Sequence, residues 1–449
     1  MSAEKPGPLL RLGVSFFLFG VINNVLYVII LSAALDLVPT STPKGIILFC
    51  NIAPALLAKI GWPYLLKGRI HYARRLFGCC TLSVAGMIVV AAFESLPGRL
   101  LGISFASFSS GLGELTFLQL STTYHPPSVG GHSVGYFASG TGAAGLLGAF
   151  LWWEVRSLGV RVGVGLSAVL PFITPLTYLL VLPRPSAFAS VAFSSLNDGD
   201  SDGALPVPYT SLPTIDEDTI EQEQERFTHS KTDTVLSLAE KWRLAKPLLL
   251  RYMLPLFCVY LFEYTINQGI APTLIYPVPS GDSHSVLGNI IHSIRDYYPL
   301  WQLVYQTTVF LSRSTISLGL PPLPSRLLSL PAVVQALILL TLMYESAIGF
   351  FSDASEGINV FMVFLLISLE GICGGLAYVN VFYRINQEQS KTDPSIDPER
   401  AKQEKEFKIG SIGLSDSLGI LIASLVAMPT EIELCNAQVR RGKMLCRGL

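Results

Sequence analysis

Leu12-Gly-Val-Ser-Phe-Phe-Leu-Phe-Gly-Val-Ile-Asn-Asn-Val-Leu-Tyr-Val-Ile-Ile-Leu-Ser-Ala-Ala34 runs between Arg11 and Asp36 without a charge. About 20 mostly apolar residues let a helix cross roughly 30 Å of hydrocarbon, so this stretch reads as a membrane span. It starts soon after Met1 with no small-residue cleavage site behind it, so it reads as a retained first helix rather than a signal peptide. Comparable stretches follow at 45–66, 76–93, 99–120, 132–153 and 160–182, and then at 248–270, 298–318, 329–350, 357–383 and 409–428. The expected fold is all-α and polytopic, with about eleven transmembrane helices.

The composition agrees. Charged residues make up 14% of the 449-residue chain, against about 25% in ordinary soluble domains, and the mean hydropathy is +0.50. A plain soluble enzyme and a largely disordered chain are both excluded. A β-barrel would alternate apolar and polar residues in segments of roughly ten, and these runs are long and uniformly apolar. Lys+Arg 31 against Asp+Glu 32 leaves no basic field for nucleic acid.

Basic residues set the orientation. Lys67, Arg69, Arg74 and Arg75 crowd the connection between spans 2 and 3, which places it on the cytosolic side together with the N-terminus. The long linker and Arg384–Lys408 fall on the same side by parity. Arg156 and Arg161, on the other side, are the exception.

Residues 183–246 interrupt the apolar pattern. Pro183, Pro185, Pro206, Pro208 and Pro213 punctuate a Ser/Asp/Gly-rich stretch, followed by the acidic Asp216, Glu217, Asp218, Glu221, Glu223 and Glu225. Such a segment buries too little apolar area to offset its ordering entropy and reads as a disordered acidic cytosolic linker. Its end, 235–246, carries Trp242 among Lys241, Arg243 and Lys246 and reads as an interfacial helix. The expected organisation is a six-helix bundle over 1–182, the linker over 183–246, a five-helix bundle over 247–428 and a polar tail over 429–449. Two bundles with a midplane site between them are a common transporter plan, and six spans before a long central loop match a major-facilitator-like layout.

Ionisable residues in hydrocarbon are costly and normally face the interior or a water-filled path. Glu114, Glu263, Arg313 and Glu370 stand inside expected spans. Arg313, with its five-donor fork, is the expected contact for an anionic solute, and the glutamates are candidate proton carriers. The competing reading is a structural ion pair, such as Glu370 with Arg313. Asn23, Asn24 and Tyr27 interrupt span 1, either as helix–helix contacts or as cavity lining. Gln302, Tyr305 and Gln306 share a face of span 8 with Arg313, and Asn267 shares a face of span 7 with Glu263. Asn380 closes the polar segment that begins at Glu370. In span 5, Gly140, Ala144 and Gly148 place small residues at four-residue spacing, a close-packing face rather than a nucleotide cradle.

Soluble-enzyme signatures are missing: there is no GxxxxGK[ST], HExxH or CxxC. No nucleophile–base constellation points to an enzyme, and no cofactor or metal is expected. His284 and His292 are too isolated to name a metal. Most of the seven cysteines lie in spans, where free thiols are the default. Cys446-Arg-Gly-Leu449 counts like a prenylation signal, but Arg447 and Gly448 match it poorly.

Phe16-Phe-Leu-Phe-Gly-Val-Ile-Asn-Asn-Val-Leu-Tyr-Val-Ile-Ile-Leu-Ser-Ala-Ala-Leu-Asp-Leu37 strongly resembles the first span of the battenin family. Gly113-Glu-Leu-Thr-Phe-Leu118, Glu263-Tyr-Thr-Ile-Asn-Gln-Gly269, Trp301-Gln-Leu-Val-Tyr-Gln306, Ser312-Arg-Ser314 and Glu370-Gly-Ile-Cys-Gly-Gly-Leu-Ala-Tyr-Val-Asn380 resemble later family segments, in the family's order. The linker and C-terminus look like those of the fungal vacuolar members. The resemblance implies a lysosomal or vacuolar membrane protein of eleven helices, related to major facilitators. It also implies links to vacuolar pH homeostasis, to basic amino-acid levels in fungi and to clearance of glycerophosphodiesters in animals. Glu263 and Arg313 match family positions where substitutions matter in disease.

The expected function is transport of a small polar solute, a glycerophosphodiester or a basic amino acid, across the vacuolar membrane. The alternative is a non-transporting scaffold or regulator of vacuolar pH and trafficking. Membrane lipids and the solute are the expected partners; protons, and proteins bound through the linker, are candidate further ones.

Overall fold

The structure, a computed structural model, describes residues 7–33, 37, 45–65, 71–155, 158–188, 236–278, 291, 293–350, 356–387 and 398–448. Most of the acidic linker, with His284 and His292, lies outside the described residues. Among those described, the chain is helical and contains no strand. The first bundle comprises α1 (Pro8–Ser32), α2 (Gly45–Leu65), α3 (Tyr72–Ala92), α4 (Leu96–Ser121), α5 (Pro127–Val155) and the helical run α6 (Gly159–Val181). After the linker come α7 (Leu238–Leu248), α8 (Leu254–Thr265), α9 (Tyr297–Arg313), α10 (Leu330–Ala347), α11 (Glu356–Gln387) and α12 (Pro398–Arg440).

Among the described residues, eight helical runs are long and apolar enough to cross a membrane. The other three expected spans are helical as well. Helix α2 is 21 residues long and contains the apolar stretch Ile46–Gly61. Helix α4 carries Arg99, Glu114, Gln119 and several serines, and α9 has 17 residues with tyrosines and glutamines on one face. Large side chains such as Leu180, Leu250, Leu340, Phe361 and Leu425 are exposed on the outer surface. That apolar exterior is what hydrocarbon, not water, would cover.

Local sequence explains where the helices begin and bend. Ser237 accepts from the Glu240 backbone N–H, and the Glu240 carboxylate accepts from the Ser237 backbone, so a capping box opens α7. The run continues through the π-helical turn Leu249–Met253 into α8, then through a second π turn, Ile266–Ile270, which contains Asn267. Such turns leave backbone groups re-aimed and recur at functional sites. Helix α12 has 43 residues, about 65 Å at 1.5 Å per residue. It therefore overhangs a ~30 Å hydrocarbon core, and it continues through Pro429 into the segment expected to be a polar tail.

Close helix contact depends on glycine. Helices α1 and α5 cross where a Cβ on Gly20 would strike the Phe137 carbonyl and reach the Thr141 nitrogen at 2.8 Å. A Cβ on Gly140 would likewise strike the Phe17 carbonyl and lie 2.9 Å from its carbon. The expected result for Gly140→Leu is a loss of about 1–3 kcal/mol from overpacking, read as a lower thermal midpoint of the solubilised protein. An unchanged midpoint would mean that the crossing is not tight.

The two bundles share one apolar cluster, in which Phe16, Phe19 and Phe117 join Tyr252, Leu256, Tyr378 and Phe382. Two further clusters lie essentially one in each bundle. Polar contacts between bundles follow the same division. At the end carrying the linker, Tyr72 donates to the Glu406 carboxylate, Gln119 Nε2 donates to the Glu406 carbonyl at 3.0 Å, and Asn386 Nδ2 donates to Ser121 Oγ at 3.2 Å. Arg75 steadies Gln119 at 3.1 Å.

Candidate functional site: a polar cavity between the bundles

A cavity opens between the bundles, lined from both sides. Helix α1 supplies Asn24 and Tyr27, α2 supplies Lys59, and α4 and α5 supply Glu114 and Thr141. Opposite them stand Tyr260 and Tyr264 of α8, Tyr305, Gln306 and Arg313 of α9, Tyr378 of α11 and Asp416 of α12.

One pole is an ionic triad. Lys59 Nζ lies 2.8 Å from Glu114 Oε2 and 2.9 Å from Asp416 Oδ1, with all three side chains largely withdrawn from solvent. It ties α2 and α4 of the first bundle to α12 of the second. One cation against two carboxylates leaves a formal excess of one negative charge. Glu114 Oε1 also accepts from Tyr378 Oη at 2.7 Å, and Asp416 Oδ1 accepts from the Ser417 backbone N–H at 2.5 Å.

The other pole is Arg313. Its Nη1 donates to Thr141 Oγ1 at 2.6 Å and its Nη2 to Tyr260 Oη at 3.0 Å. The guanidinium sits 4.5 Å from the centroid of the Tyr378 ring, a cation–π distance. Among the described residues, no carboxylate lies within 4.0 Å of it, and its buried Nε has no hydrogen-bond partner. Tyr378 thus stands between a cation that lacks a counter-ion there and a triad with a surplus carboxylate. The expected alternative, an ion pair of Arg313 with Glu370, does not form.

A second polar group lies behind the Tyr305 wall. Tyr305 donates to Glu263, whose carboxyl packs where Gly374 has no side chain. Asn267 Nδ2 donates to Glu370 Oε1 at 2.9 Å, and Gln302 Nε2 donates to Asn267 Oδ1 at 3.1 Å. The polar faces of spans 7 and 8 therefore meet. Glu263 and Glu370 are fully buried, and each leaves one carboxyl oxygen without a partner among the described residues. Neither lines the cavity directly; Tyr305 connects Glu263 to it, and Glu370 lies behind, bonded to Asn267.

The remaining residues singled out in the sequence play other parts. Asn23 faces α4, where its Nδ2 lies 3.5 Å from Ser110 Oγ, and it packs beside Gly113. Asn380 accepts from the Leu323 backbone N–H at 2.7 Å and donates to the Leu376 carbonyl, which anchors a connecting segment outside the cavity. Lys59 and Asp416 are additions from the structure, although each is an ionisable residue inside an expected span and so carries the same signal as Glu114. Tyr260, Tyr264 and Tyr378 are further additions, and no comparable signal marks them because tyrosine is common in apolar helices.

Comparison with known proteins identifies the family and the fold. The family model described as "CLN3 protein" matches residues 14–437. Protein BTN1 of Mycosarcoma maydis is 46% identical, covering 97% of this chain and 88% of that protein. Protein BTN1 of Cryptococcus neoformans var. neoformans serotype D (strain B-3501A) is 43% identical, covering 98% and 96%. The solved structure of the proton:xylose symporter XylE, a major facilitator superfamily protein, superposes with a TM-score of 0.56 at 12% identity, covering 96% of this chain and 95% of that one. At that identity the likeness concerns the fold alone. The chain therefore belongs to the CLN3 protein (battenin) family, as a multi-pass protein of the vacuolar (lysosomal) membrane with a major-facilitator-type fold.

Proposed function

We propose that the protein moves a small polar solute across the vacuolar membrane by alternating access between its two bundles, with the cavity as the solute site. The reading takes eleven crossings, six before residue 183 and five after 246, and places the linker in the cytosol. The observation that carries it is Arg313, a guanidinium facing the cavity with no carboxylate beside it and an unpartnered Nε among the described residues. A cation withdrawn from bulk water in that condition is stabilised when an anion arrives, and the planar fork suits a phosphate or carboxylate.

The triad across Tyr378 adds a preference. Its surplus carboxylate favours a positive group on the same solute. Five tyrosines line the cavity, and aromatic faces attract cations. A glycerophosphodiester with an amine head group meets both poles at once. A basic amino acid is the second reading, favoured by the acidic excess of the triad. Glu263, reached through Tyr305, and Glu370, behind it on Asn267, are the candidate proton carriers and would link solute movement to vacuolar pH.

The experiment is uptake of labelled glycerophosphocholine, and separately of labelled arginine, into proteoliposomes containing the purified protein. Saturable uptake of the phosphodiester with none of arginine supports the preferred solute; the reverse selects the basic amino acid. If neither moves, while deletion of 189–235 reproduces the null phenotype in cells, the protein is a scaffold or regulator and the transport reading fails.

A further inference from the structure

The segment beyond Pro429 is built as a fastened structure. Helix α12 ends at Arg440, and Gly442 then adopts φ 89°, a left-handed conformation that L side chains rarely take. The Lys443 N–H donates back to the Gln438 carbonyl at 3.0 Å, which completes the reversal. The chain folds back along the last turns of α12, and Cys446 is disulfide-bonded to Cys435, 11 residues earlier.

The same segment holds two other parts of the second bundle. Gln438 Nε2 donates to the Thr273 carbonyl at 2.8 Å and to the Ser346 carbonyl at 3.1 Å. Arg441 donates to the carbonyls of Ile348 and Ser346. Lys443 Nζ lies 4.8 Å from the Tyr276 ring centroid, and Tyr276 Oη donates to Glu345 at 2.8 Å. The ends of α8, α10 and α12 opposite the linker are therefore tied together through residues 435–446.

We propose that Cys435 and Cys446 close a covalent clasp on the lumenal face of the second bundle, which locks the overhang of α12 onto the segments around 271–277 and 345–350. Disulfides persist in the oxidising lumen of the secretory route and are rare in the cytosol. The pairing therefore places this end of α12 across the membrane from the linker. Closure converts two thiols into one disulfide and gives up two electrons and two protons. Both electrons and both protons pass by thiol–disulfide exchange to an accepting protein disulfide in the secretory lumen, which becomes two thiols. The benefit is resistance to local opening: a fastened helix end exposes less chain to vacuolar proteases. The clasp also consumes the Cys446 thiol, so a lipid cannot be attached there.

The test counts thiols on the full-length protein. Of the seven cysteines, five are free. Denaturation and maleimide labelling should therefore add five labels before reduction and seven after. In intact vacuoles, a membrane-impermeant phosphine should leave the five-label state unchanged, and detergent should allow reduction to seven. Cys446→Ser and Cys435→Ser should each speed proteolysis near residues 431–446 by about tenfold or more, with the double variant no worse than either single one. Gly442→Val should reduce the disulfide fraction, since its left-handed turn is disfavoured for valine. Seven labels without reduction, reduction from the cytosolic face of intact vacuoles, or a prenyl group on Cys446 would each overturn the proposal.

Discussion

Replacing Arg313 with alanine is expected to reduce solute affinity by on the order of 100-fold, with the protein still folded. Losing one member of a charge-assisted contact in a water-poor site costs about 2–5 kcal/mol, and each 1.4 kcal/mol is tenfold. Folding is spared because Arg313 bridges hydroxyls, not a carboxylate: Thr141 and Tyr260 lose a donor but no buried anion is stranded. Arg313→Lys keeps the charge and loses the fork, so it should retain part of the affinity, about tenfold below the parent. The measurement is solute-dependent stabilisation of the purified protein, which follows affinity by mass action. Equal stabilisation of the parent and of Arg313→Ala would remove Arg313 from the site.

The second large effect is on stability. Lys59→Ala is expected to destabilise the protein by about 3–5 kcal/mol, because it strands Glu114 and Asp416 beside each other without their shared cation. A triple replacement, Lys59→Met with Glu114→Gln and Asp416→Asn, should recover most of that loss, since no buried charge remains. The readout is the thermal midpoint of the solubilised protein, with the retained monodisperse fraction as a check. Recovery by the triple variant separates charge stranding from simple loss of packing. If Lys59→Ala and the triple variant are equally unstable, the triad matters through its shape. The triple variant should fail to transport even when it is stable, because it erases the negative pole.

Much of this site is legible in residue type and position. Glu114, Arg313, Tyr305 and Gln306 stand out because a polar group in a span needs an interior partner, and all four line the cavity. Lys59 and Asp416 obey the same rule and need no further principle to find. Asn380 shows the limit. It lies in the same polar segment as Glu370, but the rotation of α11 turns it toward Leu323, and rotation is decided by packing between helices. The competing reading, an Arg313–Glu370 pair, fails for the same reason. Glu370 faces Asn267, and Arg313 faces α5 and Tyr260.

Span counting meets a related obstacle. Helix α4 carries Arg99 and Glu114 among several serines, and α9 is a 17-residue helix that carries Arg313 and a polar face. The property that makes them functional candidates weakens the hydropathy signal that would mark them as spans. The clasp is hidden differently. Nothing in the sequence pairs Cys435 with Cys446 until Gly442 is known to reverse the chain.

The most direct measurement is a cryo-electron-microscopy map of the protein in lipid nanodiscs saturated with glycerophosphocholine. Solute density is expected in the cavity, with the phosphate within hydrogen-bond distance of Arg313 and the trimethylammonium toward the tyrosines and the Glu114–Asp416 pole. An empty cavity under conditions in which the same preparation transports the solute, or density bound elsewhere, would contradict a solute site between the bundles.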